Sequence, residues 1–372
     1  WVNQLRTQAS AGGIYLDVIP HLDPEACYDV LPAHGHPGKK GGGSWYNLAK
    51  AQMLSTIRQN GGSNFYVMME SPNEMWLGSN SQALTDGACL FMQPALPLSS
   101  MASPVCRAIP LWTAVYNDYY TLWETGGATI KIETEEVIDP SFTKMLRQGY
   151  ACSLHMGAMP MAGAMSSSQP LSAFHIAGGS GVVKWHEMIR NFMDVLKWTF
   201  VRQFVRLGER MREPKIYYST NGLVWPEEES LLMKSVRWTV SPESPTTAHQ
   251  PVVYASMWKM TKANGPIKQG SIGVLLLNWS EPGDMFHTKT SPPPGPRVDI
   301  APTGKHRITV EIDPVVHNVS GVWDIYYVNP ATGMPQLVTD WNFGTHPNPP
   351  KKFQTPLDVY CRTAQFWFFV KR

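Results

Sequence analysis

The apolar positions of this chain change their period several times, and the changes mark its organisation. Trp1, Val2 and Leu5 recur at helical spacing. The next run, Gly12-Gly13-Ile14-Tyr15-Leu16, is short and almost continuously apolar, the pattern of a buried strand, and it ends at Asp17. A loop dense in Pro, Gly and His covers roughly 20–44. A helix is expected from about Trp45 to Gln59, with Leu48, Met53, Leu54 and Ile57 on one side. Phe65-Tyr66-Val67-Met68-Met69 then reads as a second strand, ending at Glu70 with Glu74 close behind. A helical stretch near 75–84 and short strands at 89–92 and 109–116 continue the alternation, which is the signature of a parallel α/β architecture.

Beyond Pro140 the pattern turns helical around a loop rich in Met and Gly at 155–170. Trp185, Ile189, Phe192, Leu196, Phe200 and Phe204 recur every three or four positions and predict one long amphipathic helix from about Val182 to Met211. After residue 245 the character changes again. The segments 252–260, 271–279, 307–312, 322–328 and 364–370 are β-branched and aromatic runs separated by turn residues, as in an all-β sandwich. The expected architecture is therefore a (β/α)8-type barrel over residues 1–245 followed by a β-sandwich domain over 246–372. A full barrel takes about 250 residues, and only four or five strand–helix units precede the β region. The expectation is that the chain holds the C-terminal part of a barrel whose first strands lie in an N-terminal companion segment; a smaller open sheet is the alternative.

Composition narrows the chemistry. With 16% charged residues and a formal net charge of +2, no global field favours nucleic acid or an anionic membrane. No run approaches the roughly 18 apolar residues of a membrane span. Five cysteines without a CxxC pair argue against a disulfide framework or a zinc ribbon. The aromatic and Pro-rich composition leans towards an extracellular or cell-surface location. Asn278-Trp279-Ser280 and Asn318-Val319-Ser320 fit the N-glycosylation sequon, which makes Asn278 and Asn318 candidate acceptors.

Catalytic groups of α/β barrels sit at the C-terminal ends of the strands, where Asp17 and Glu70 fall. A glycosidic bond is cleaved by two carboxyl groups, one protonating the leaving oxygen and one acting as nucleophile or base. Asp17 and Glu70 supply the types required, with strand-end salt bridges or helix caps as the competing roles. The intervening loop adds Tyr28, Asp29, His34 and His36 among flexible glycines, groups suited to sugar hydroxyls. His34 and His36 with Asp17 and Asp29 could instead hold a metal, although an HxH pair lacks the remaining ligands at fixed spacing. Asp118 ends the 111–116 run and is a candidate substrate binder. Met156, Met159, Met161 and Met165 beside His155 fit flexible packing in a lid better than a copper site. No cofactor is expected.

The set Tyr15-Leu16-Asp17, Cys27-Tyr28-Asp29, His34-Gly35-His36-Pro37, Glu70-x-x-x-Glu74 and Val115-Tyr116-x-Asp118-Tyr119 resembles a largely uncharacterised family of glycoside-hydrolase-like proteins. That family joins a (β/α)8 barrel to a C-terminal β domain and is distantly like the α-galactosidase and endo-α-N-acetylgalactosaminidase barrels. The resemblance covers roughly residues 10–125. It implies a carbohydrate substrate, Asp17 as nucleophile, Glu70 as the second catalytic carboxylate, and Glu74, His34, His36 and Asp118 lining the donor-sugar site. Tyr15, Tyr28 and Asp29 join them as substrate-binding candidates. Two departures stand out: the family's Ser-Glu-Gly is Met69-Glu70-Ser71 here, and the triple-Gly loop carries an additional Lys39-Lys40. The expected activity is a retaining glycosidase; a non-catalytic structural or sugar-binding protein on the same scaffold is the alternative.

Overall fold

The computed structural model describes residues 2–16, 44–62, 65–69, 111–116, 123–124, 151, 154–155, 157, 159–160, 184–220, 223–225, 231–236, 247–280, 285–288, 297–299, 304–344 and 350–372. The chain divides into two compact units, one formed by 1–89 and 119–124 and the other by 90–118 and 125–372.

The first unit is a strand–helix–strand crossover. Helix α1 (Val2–Gln8) leads into β1 (Gly13–Leu16); helix α2 (Ser44–Gly61) then returns the chain to β2 (Tyr66–Met69), which pairs with β1 in parallel. The register sets Ile14 opposite Val67 and Leu16 opposite Met69. Val2, Leu16, Leu54, Ile57, Phe65 and Val67 form one buried cluster, flanked by the half-buried Ile14, Ala51 and Met53. Leu54 and Ile57 lie three apart on α2 and so share the helix face that covers the strands. Arg58 donates through Nη1 to the carbonyl of Phe65, and Arg6 to that of Asn60 at 3.0 Å, fastening the turn between α2 and β2. Strands β1 and β2 pair in parallel, the four- and six-stranded sheets of the second unit are antiparallel, and among the described residues there is no complete eight-stranded barrel.

In the second unit, α3 (Leu111–Tyr116) is a helix where the apolar run predicts a strand. Six residues, Leu-Trp-Thr-Ala-Val-Tyr, are too few to separate a period of 3.6 from one of 2. Thr113 is buried while its two successors are exposed. The long helix predicted over 182–211 is two helices, α4 (Lys184–Leu196) and α5 (Thr199–Leu207). The break is at Trp198, which takes extended dihedrals (φ −73°, ψ 130°). The apolar rhythm runs across the break because both helices pack on one sheet. Phe192 and Leu196 are buried on α4, while Phe200 stacks on Phe368 at 6.0 Å and Phe204 lies 5.4 Å from Phe366.

From Gly208 onward the described part of the chain is β. Its strands are β3 (Gly208–Arg210), β4 (Lys215–Thr220), β5 (Leu223–Trp225), β6 (Leu231–Val236), β7 (Thr247–Pro251), β8 (Val253–Met260), β9 (Ile272–Asn278), β10 (Met285–Thr288), β11 (Arg297–Asp299), β12 (Lys305–Ile312), β13 (Val322–Val328), β14 (Pro335–Asn342), β15 (Phe353–Tyr360) and β16 (Thr363–Lys371). They form a six-stranded sheet in the order β14-β13-β16-β9-β8-β3, a four-stranded sheet β15-β12-β4-β5, and a second four-stranded sheet β11-β10-β6-β7. Strands β3 and β4 thus enter the sheets well before residue 246.

The six-stranded sheet has α5 on one face and the sheet containing β12 and β15 on the other. Val274, Leu276, Trp367 and Phe369 from the first sheet and Val310, Phe353, Thr355 and Leu357 from the second line a small apolar gap between them. Phe353 and Phe369 meet edge-to-face at 5.3 Å. This face-to-face arrangement is the sandwich packing expected of antiparallel sheets. Covered on both sides, β9 is buried at all seven positions. Gly273 is required there: a Cβ would lie 2.5 Å from Phe366 and 2.8 Å from Phe204, so the missing side chain lets α5 seat its ring.

Candidate functional site

Helix α2 covers one side of β1 and β2 with Leu54 and Ile57 against Leu16 and Val67. Side chains alternate across a strand, and register partners in a parallel pair share a face. Ile14, Leu16 and Val67 therefore define the helix-covered face. The C-terminal ends of the two strands coincide, since their last residues, Leu16 and Met69, are paired. The next residues in the sequence are Asp17 and Glu70.

Of the residues singled out from the sequence, Tyr15 has its backbone in β1. Asp17, Tyr28, Asp29, His34, His36, Glu70, Glu74 and Asp118 lie outside the described residues, as does the HxH metal alternative. The two sequons have different surroundings. Asn278 is fully buried: its Nδ2 donates to the carbonyl of Val359 at 3.0 Å, and its Oδ1 accepts from the Ser280 backbone N–H at 3.0 Å and from Ser280 Oγ at 2.6 Å. This asparagine is a core residue in the folded chain and is not available as a glycan acceptor. Asn318 is exposed in a turn.

Two polar clusters in the second unit have no signature in the sequence. In one, Glu213 Oε1 lies 2.8 Å from His155 Nε2 and 3.1 Å from Arg210 Nη2, while Arg210 also donates to the carbonyl of His155. The Arg210 guanidinium sits 4.8 Å over the Trp258 ring, and the imidazole packs at 5.0 Å from Tyr254. His155 is buried in this network.

In the other cluster Glu311, buried on β12, accepts from Tyr217 Oη at 3.1 Å, Lys352 Nζ at 3.0 Å and Gln354 Nε2. Burial pushes this carboxyl up, but the bonds from Gln354, Lys352 and Tyr217 together outweigh it and hold it below its ordinary value. Lys352 also reaches Asp313 at 3.1 Å. No local sequence pattern could have found either cluster, because each joins segments far apart in the chain that meet only through the fold. Among the described residues no group of three or more His, Cys, Asp or Glu is placed to hold a metal ion, and no helix is long and apolar enough to cross a membrane.

Residues 1–126 match a domain of unknown function, DUF6259. Comparison with curated proteins finds no match. Among solved structures, similarity extends to a GH27 β-L-arabinopyranosidase from Geobacillus stearothermophilus, at 8% identity and a TM-score of 0.39, over 99% of this chain and 60% of that one. A variant of the same enzyme in complex with arabinose is matched at 8% identity and a TM-score of 0.37, over 100% and 61% of the two chains. An α-galactosidase from Saccharomyces cerevisiae is similar at 10% identity and a TM-score of 0.37, over 100% and 74%. The chain thus spans about 60% of the length of the arabinopyranosidase it matches.

Proposed function

We propose that this chain belongs to a carbohydrate-active hydrolase that cleaves glycosidic bonds with retention, using Asp17 as nucleophile and Glu70 as acid and base. The observation that carries the reading is the pairing of Leu16 with Met69 at the ends of two parallel strands. In this reading Asp17 and Glu70, which follow Leu16 and Met69 in the sequence, act on one bound sugar. Adjacent strands are about 4.8 Å apart, and the two carboxyls of a retaining glycosidase stand about 5–5.5 Å apart. The family resemblance over residues 10–125 assigns the same two carboxylates.

In this mechanism Asp17 attacks the anomeric carbon while Glu70 gives its proton to the departing glycosidic oxygen. Glu70, now ionised, removes a proton from the water that releases the sugar from Asp17. Tyr15, Tyr28, Asp29, His34, His36, Glu74 and Asp118 are assigned to sugar hydroxyls, which imidazole, phenol and carboxylate groups recognise by hydrogen bonding. The substrate is a glycan outside the cell in this reading.

The test is an aryl-glycoside screen of the protein containing this chain, followed by the variants Asp17→Asn and Glu70→Gln. Each should lower turnover by at least about 10²-fold, the scale of a lost acid or base, with unchanged melting temperature. A 2-deoxy-2-fluoro glycoside should leave its label on Asp17. Sugar binding without turnover would favour the non-catalytic alternative, and full activity in either variant would overturn the assignment.

A further inference from the structure

We propose that Asn318, and not Asn278, carries an N-linked glycan, which covers an apolar patch on the turn between β12 and β13. This is separate from the hydrolase reading and stands or falls without it. The two sequons are equivalent in the sequence and opposite in the fold. The Asn278 amide nitrogen is inside the core and donates to Val359. A glycan added there before folding would have to be buried with it, so a folded chain carries none.

The Asn318 turn is built to present its side chain. Asp313 Oδ1 accepts from the backbone N–H of Val315 at 2.9 Å and of Val316 at 3.4 Å. The N–H groups of His317 and Val319 bond to the carbonyls of Asp313 and Pro314, each at 3.0 Å. Within this fixed loop Asn318 takes a left-handed conformation (φ 51°), which asparagine tolerates better than most residues. Val319 is buried, and its neighbours Asn318 and Ser320 are both exposed, so the two sequon groups that a transferase reads face solvent together.

The same turn exposes two apolar side chains, Val315 at 74% and Val316 at 43%. A bulky hydrophilic chain rooted on Asn318 would shield them from association. The donor class is an oligosaccharide on a polyprenyl pyrophosphate. Nδ2 of Asn318 forms a bond to the anomeric carbon, the bond from that carbon to the pyrophosphate oxygen breaks, and the amide proton lost passes to a base of the transferase.

The full chain, secreted from a eukaryotic host behind a leader, should show one electrophoretic shift on treatment with an amide-cleaving N-glycosidase. Asn318→Asp and Ser320→Ala should abolish the shift; Ser320→Thr, which keeps the sequon, should retain it. A melting curve of each secreted variant separates loss of the acceptor from misfolding. In protein from its own source the enzyme should convert Asn318 to Asp and leave Asn278 unchanged. A wild-type chain with no shift, a shift that survives Asn318→Asp, or an unconverted Asn318 in the source protein would each overturn the proposal.

Discussion

Ser280 Oγ donates to Oδ1 of Asn278 at 2.6 Å within a single sequon, and both residues are completely buried. A tripeptide that reads as a surface address is here a staple of the core. Ser280 Oγ also lies 3.2 Å from His306 Nε2 and 3.2 Å from Cys361 Sγ, so one hydroxyl gathers groups from β12 and from the turn before β16. Removing a single partner leaves the others buried without it, which costs about 1–3 kcal/mol. Asn278→Ala should therefore lower unfolding free energy by that order, and Asn278→Ala with Ser280→Ala by less than the sum of the two. Denaturant unfolding of the four chains in a double-mutant cycle measures the coupling.

Acid should act on Glu311. Its carboxyl is held below the ordinary range by Gln354, Lys352 and Tyr217 against the opposing effect of burial. A carboxyl whose value is lower in the folded chain than in the unfolded one stabilises the fold above the unfolded value, about 4.3. That contribution disappears as pH falls through the folded value. Asp358, held low by Lys305, and Asp313, held low by Lys352 against its own burial, work in the same direction. Melting temperature should fall as pH drops below about 4. Glu311→Gln should weaken that dependence and lower stability at neutral pH by about 1.5–3 kcal/mol.

Gly333 has a positive φ of 66°, and a Cβ at that position would lie 2.0 Å from the Trp198 ring. Both the backbone and the indole would have to move to admit a methyl group. Gly333→Ala should lower the melting temperature, whereas Gly265→Ala, also at positive φ but with open space around it, should carry only the backbone component. The difference between the two variants isolates the contact with Trp198.

In the first unit, Leu54 is fully buried between α2 and the strands. Leu54→Ala should cost about 2–5 kcal/mol. If the β1–β2 pairing positions the carboxylates, turnover should fall at temperatures where the variant is still largely folded. Gln52→Ala, on the exposed side of the same helix, should leave both quantities unchanged. Parallel melting curves and aryl-glycoside rates make the comparison.

The elements legible from the sequence are those whose burial leaves a period. The crossover β1–α2–β2 is readable from Ile14, Leu54 and Val67, and β8, β9, β12, β13 and β16 from their β-branched and aromatic runs. Strand β14 leaves no such trace, because Pro335-Gln-Leu-Val-Thr-Asp-Trp-Asn342 lies at the edge of the six-stranded sheet, largely exposed, with little alternation to detect. The break at Trp198 is hidden because burial on a common sheet keeps the three-to-four spacing intact across two helices. Asp17 and Glu70 follow Leu16 and Met69 in the chain, and both lie outside the described residues. The surroundings of Glu213 and Glu311 depend on pairings between distant segments, which local periodicity does not encode.

Strand β16 lies between β9 and β13 at the centre of the six-stranded sheet, although every other strand of that sheet precedes it in the chain. A ribosome therefore exposes β8, β9 and β13 before the segment that joins them has been made. Until residues 363–371 leave the exit tunnel, β9 offers a bare hydrogen-bonding edge and Phe204 lacks two of its aromatic neighbours, Phe366 and Phe368. Closure of this sheet must wait for the codons of that strand, and nascent chains stalled upstream of them are the forms most exposed to aggregation and to chaperone capture.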